Sequence, residues 1–165
     1  MSAILQTAVK LTGSAVVSLT AVIWGQKRIR EERRKTAVLA EMCSLVGFIG
    51  ERIKVFAPPL GEIYADFSSD VLSDCGFLPV LRTHGMKAAV ESMSDLIDAD
   101  VRETLIRFAQ SLGGEDREEQ LSLCEVTEER LGKLLDARKT TENERKKLYG
   151  VCPLLGALAL ILMFI

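Results

Sequence analysis

From residue 26 to residue 149 apolar side chains recur every three or four positions, the period of helices that bury one face. Val38, Met42, Leu45, Val46, Ile49, Ile53 and Phe56 form the first such series. It ends at Ala57-Pro58-Pro59, where two prolines exclude helix continuation. A second helix is expected over Leu60–Leu72, with Ile63, Tyr64, Phe67 and Val71 on its apolar face. Gly76, Pro79 and Gly85 then mark a break from Cys75 to Gly85, with one short turn around Leu78–Arg82. A third helix is expected over Met86–Ile97.

Asp100 followed by Glu103 has the spacing of a capping box, and the helix it opens carries Leu105, Phe108, Ala109 and Leu112. Gly113 and Gly114 stop that helix. Asp116 opens the last one, with Glu119 three residues on. Its apolar series is Leu123, Val126 or Thr127, Arg130 or Leu131, Leu134, Leu135 and Ala137. From Arg138 to Lys147 the helix is almost wholly polar, as a solvated stalk would be. Strand-like alternation of useful length does not occur, so the expected fold is all-α, a helical bundle with antiparallel hairpins.

Composition changes this picture at the two ends. Mean hydropathy is +0.18 although 27% of the residues are charged. The charge is unevenly spread: of 21 Lys and Arg and 23 Asp and Glu, only Lys10 falls within 1–25 or 150–165. Three segments follow: an N-terminal transmembrane anchor (1–25), a cytoplasmic helical bundle (26–149) and a C-terminal transmembrane anchor (150–165). Ala3–Gly25 as a helix would measure about 34 Å, enough to cross a hydrocarbon layer of ~30 Å. A cleaved leader is disfavoured, because no A-x-A site follows Trp24 and the chain runs directly into Lys27-Arg28-Ile29-Arg30, a stop-transfer flank. The tail, GVCPLLGALALILMFI, spans only about 24 Å and would be a short crossing or a deep anchor.

Basic clusters at 27–35 and 145–147 flank the middle of the chain. By the positive-inside rule the bundle faces the cytoplasm, with both termini on the opposite side and the basic runs against membrane lipids. The first and last helices would then lie side by side, bringing both anchors out of one end of the bundle.

Little in the sequence carries chemistry. Gly-rich phosphate loops, HExxH and GxSxG are all missing. Cys43, Cys75, Cys124 and Cys152 form no CxxC and the only histidine is His84, so no zinc set is expected. The acidic groups at Asp95-Asp98-Asp100 and Glu115–Glu119 fit helix N-termini better than acid/base sites. We expect no catalytic residue, cofactor, metal, nucleic-acid partner or small-molecule substrate. The one distinctive feature is the hairpin Leu112-Gly113-Gly114-Glu115-Asp116-Arg117-Glu118-Glu119-Gln120.

That hairpin, the basic stretch after an apolar start, and Lys146-Lys147-Leu148-Tyr149-Gly150 leading into an apolar tail resemble the stage III sporulation protein AB family over essentially the whole chain. Leu-Gly-x-x-Asp-x-x-x-Gln is the most specific part of the resemblance. The family is similar in fold to the cytoplasmic domain of the type II secretion F protein. The resemblance implies a non-enzymatic platform component of a secretion-like channel between mother cell and forespore, required for endospore formation. Other channel components of the same operon are the implied partners, among them a secretion-type ATPase, stage III sporulation protein AA. The implied location is the mother-cell membrane facing the forespore. Leu112, Gly113, Gly114, Asp116, Arg117, Glu118, Glu119 and Gln120 are then the candidate interaction residues, together with the polar end of the last helix. A membrane-tethered adaptor or regulator of a signalling or proteolytic partner is the alternative of another class.

Overall fold

The first bundle helix, α1 (36–55), sits centrally because its apolar stripe is wide. Val38, Leu39, Met42, Leu45, Val46, Ile49 and Ile53 are all buried. The computed structural model describes the backbone of residues 30–56, 58–114 and 116–164, and side chains as far as Asn143. Two compact units divide the chain, Met1–Lys35 and Thr36–Ile165. In the first, residues 30–35 are helical. The second contains α1 and five further helices: α2 (Leu60–Asp66), α3 (Asp70–Asp74), α4 (Phe77–Ser92), α5 (Ala99–Ser111) and α6 (Arg117–Phe164). Every element among the described residues is helical, as the spacing predicts.

Around α1, α4 packs against α2, α3 and α5, and α5 packs against α6. The core gathers Ile63 and Phe67, Phe77, Leu81, Met86 and Val90, Leu105 and Phe108, and Cys124 and Leu131. Among the described residues no buried side-chain nitrogen or oxygen lacks a hydrogen-bond partner. Thr104, for example, donates to the Asp100 carbonyl at 2.8 Å.

Helices α1 and α6 are antiparallel, and their register can be read from four contacts. The Arg117 guanidinium donates to the Lys54 carbonyl, and a Cβ on Gly50 would lie 3.1 Å from the Cys124 Cβ. Further along, Gly47 faces the Glu128 carboxylate and the Cys43 thiol approaches the Glu128 carbonyl at 3.8 Å. Gly47-x-x-Gly50 thus places two side-chain-free positions on the α6 side, one helical turn apart, and the backbones close in. The start of α1 and the Arg138 region of α6 consequently lie at the same end of the unit. Arg138, largely buried, pairs there with Asp98 at the start of α5.

Several expected boundaries move, each for an identifiable reason. The helix expected over Leu60–Leu72 is two helices. Phe67 is extended at the end of α2, and Ser69 caps α3 by accepting the Leu72 amide at 3.3 Å. The Arg82 guanidinium holds this corner by donating to the Tyr64, Ala65 and Phe67 carbonyls at 3.3, 3.4 and 2.8 Å. It supplies the positive charge that a helix C-terminus favours.

The stretch expected as a break, Cys75–Gly85, is mostly the first half of α4. Pro79 falls in the first turn, where its missing N–H costs nothing. The real interruption is Gly85 alone, at φ 82° and ψ 177°, a conformation closed to side chains with a Cβ. The helix expected to reach Ile97 stops at Ser92, although Met93 and Ile97 stay buried in the turn that follows. Asp98 occupies the N-cap position expected for Asp100, and Glu103 pairs with Arg107 at 2.5 Å. The capping box does not form. On α6, Thr127 and Leu131 are the buried members of the two open alternatives, and Val126 and Arg130 are exposed.

Among the described residues no helix is long and apolar enough to cross a membrane. The expected anchor at 1–25 lies outside the described residues. That at 150–165 lies where α6 is helical through Phe164 but outside the residues with described side chains.

Candidate functional site

The α5–α6 hairpin is built from its own sequence outward. Leu112 ends α5 in an extended conformation, its amide donating to the Phe108 carbonyl at 2.9 Å, and its side chain packs against the core. Gly113 follows at φ 94°, where an L side chain would be strained, and the Leu60 Cδ1 lies 3.5 Å from where a Cβ would sit. Asp116 Oδ1 accepts the Glu118 amide at 2.9 Å, the N-cap that the sequence predicts. The Gln120 amide donates to the Asp116 carbonyl at 3.1 Å. Its side-chain Nε2 reaches back to donate to the Gly114 carbonyl. Arg117 crosses to the Lys54 carbonyl at the end of α1 and satisfies one of that helix's terminal acceptors.

The residues that give the hairpin its distinctive pattern are therefore occupied inside the fold. Leu112 packs, Gly113 turns, Asp116 caps, Gln120 closes the loop and Arg117 ties it to α1. Glu118 and Glu119 remain exposed on the first turn of α6, where negative charge suits the helix dipole. Glu115 lies outside the described residues.

Elsewhere the chemistry is sparse. No group of three or more His, Cys, Asp or Glu among the described residues is arranged to hold a metal. His84 Nδ1 lies 2.7 Å from the Thr83 hydroxyl at the exposed kink of α4. Among the described thiols, Cys75 donates to the Val71 carbonyl at 3.0 Å, and burial pushes the Cys124 thiol up to about 11, with the Glu128 and Glu125 carboxylates adding to the shift. Cys43 is raised by burial and then by Glu128. Burial likewise pushes the Tyr64 hydroxyl up to about 12. An open cleft is lined by Glu41, Ser68, Ser69, Asp70 and Val71, and its Ser69 hydroxyl accepts the Leu72 amide at 3.3 Å as the cap of α3.

Three features escape the sequence reading. The Gly47/Gly50 seam has a visible signal, two glycines three apart within a helical apolar series. Arg82 has none, because its three acceptors belong to a helix end 15–18 residues earlier. Phe56 is the third: spacing assigns it to the core series, yet it is 76% exposed, because α1 stops at residue 55 and the chain turns outward toward the prolines.

The described residues thus form a helical bundle whose most distinctive sequence motif builds the α5–α6 hairpin. The chain belongs to the stage III sporulation protein AB family, whose model matches residues 83–165, from the kink of α4 through the hairpin and all of α6. Membership implies a role in sporulation. No curated protein and no solved structure matches the chain.

Proposed function

We propose that this protein is a non-enzymatic platform component of a secretion-like channel between mother cell and forespore. In this reading the two apolar ends anchor it in the mother-cell membrane facing the forespore, and the bundle works in the cytoplasm. Its partners are other channel components of the same operon, including a secretion-type ATPase, the AA member of the set. Lipid headgroups meet the basic flanks.

The observation that carries the reading is the antiparallel α1–α6 pair. Its register puts the start of α1 beside the Arg138 region of α6, so the chain enters and leaves the bundle at one end. A domain hung from two anchors on one membrane needs that arrangement. The Asp98–Arg138 pair fastens this end to α5. Family membership supplies the sporulation context.

Reporter fusions test the topology. A reporter at residue 70 is expected to behave as cytoplasmic and one after residue 165 as exported, and the reverse pattern would overturn the reading. Cross-linking in sporulating cells is expected to recover channel components, whereas recovery of unrelated soluble proteins alone would replace the platform with an adaptor.

A further inference from the structure

Arg117 does more than close the hairpin. By binding the Lys54 carbonyl it sets the first turn of α6 against the end of α1, where Val55 is 62% and Phe56 76% exposed. Two consecutive large apolar side chains in water, beside two prolines that cannot fold over them as helix, are out of keeping with the rest of this surface. Among the described residues only Val126 is a comparably exposed large apolar side chain.

The charge beside them has one sign in excess. Glu51 is one helical turn before Val55 and so shares its face. Glu118 and Glu119 adjoin Arg117, and Glu62 stands in the first turn of α2, beside the Leu60 that packs under Gly113. All four carboxylates are exposed, against Lys54, Arg117 and Arg52, the last of which is paired with Asp66 at 3.2 Å. The excess of carboxylates favours a cationic partner surface over anionic lipid or nucleic acid.

We infer that Val55 and Phe56, with Glu118 and Glu119 beside them, form a docking knob for a second protein whose surface offers an apolar pocket edged by Lys or Arg. This deepens the platform reading and rests on it in one respect. Copies held by their anchors in one membrane present this end in the same direction and with the same charge, so a second copy is a poor occupant. The knob lies at the end of the α1–α6 seam remote from Arg138, the end a membrane-hung bundle offers to a cytoplasmic partner. The apolar pair supplies the buried anchor, and the carboxylates orient the encounter.

The test places a photo-crosslinking benzoylphenylalanine at position 56 of the full chain in sporulating cells and identifies the adduct and its attachment site. The expected result is an adduct to a different protein at apolar residues flanked by Lys or Arg. Its yield should fall about tenfold when Glu118→Lys and Glu119→Lys are combined, and by less with Glu118→Gln and Glu119→Gln. Circular dichroism of the purified variants shows that the bundle is intact. Absence of an adduct, an adduct to a second copy, or a yield indifferent to the charge changes overturns the knob. Channel proteins recovered from other positions but not from 56 would leave the platform standing without this knob. A charge-sensitive adduct to a protein outside the channel would keep the knob and remove the platform.

Discussion

The α1–α6 seam and the corner formed by α2, α3 and α4 are held together in different ways. Along the seam two helices lie close because Gly47 and Gly50 carry no side chain, and burial of Leu131 and Cys124 against α1 does the rest. At the corner the helices are short, seven residues in α2 and five in α3, too short to be stable alone. What fixes them is termination: Ser69 at the start of α3 and Arg82 on the end of α2. One region is stabilised along its length and the other at its ends. The difference predicts where the molecule tolerates change.

The largest effect is expected on the seam. Leu131 is fully buried, and Leu131→Ala should cost about 2–5 kcal/mol by loss of burial and the cavity left behind. Val126, five residues earlier on the same helix, is 61% exposed, and Val126→Ala should stay within about 0.5 kcal/mol. Denaturant unfolding of the two variants checks the contrast. Equal costs would mean that α6 presents a different face to the bundle.

At the corner the expected loss is smaller and local. Arg82→Ala removes three charge-assisted hydrogen bonds to the end of α2, worth about 2 kcal/mol after discounting for the exposure of the side chain. Arg82→Lys should recover little, since a single ammonium cannot reproduce a fork that reaches three carbonyls. Hydrogen exchange should show lost protection in α2 with α1 unaffected, and uniform loss across the bundle would refute the idea of a corner held by its ends.

The same division governs how much of the structure can be read from the sequence. Helices that pack along their length announce themselves by period, and the buried stripe of α1 follows the predicted series from Val38 to Ile53. Period fails at ends. Phe56 continues the spacing but not the helix, so it leaves the core. The Ile63, Tyr64 and Phe67 series continues past a break that Arg82 enforces from another element, and propensity contains no trace of a remote side chain. Pro79 reads as a breaker until its place in a first turn is known.

In the hairpin, Asp116 and Gly113 are legible as a cap and a turn because their partners are local. Arg117 is not, since its acceptor is 63 residues away. Spacing could mark these residues as special without showing that the fold itself uses most of them.

The smallest effect separates the two glycines of the seam, and it turns on what each would meet. Glycine in a helix costs up to ~1 kcal/mol relative to alanine, so either replacement starts with a gain. At position 47 the new Cβ would lie 3.2 Å from the Glu128 carboxylate, the far end of an exposed and flexible side chain that can swing aside. At position 50 it would lie 3.1 Å from the Cys124 Cβ, which is fixed to the α6 backbone and cannot yield unless the helices separate. Separation would loosen the contacts around Leu131, and dense cores resist that. Gly47→Ala should therefore raise Tm by about 2–4 °C, while Gly50→Ala lowers it or leaves it unchanged. If both variants gained equally, the helices would be free to part at position 50, and the close approach would be an accommodation to glycine rather than a requirement for it.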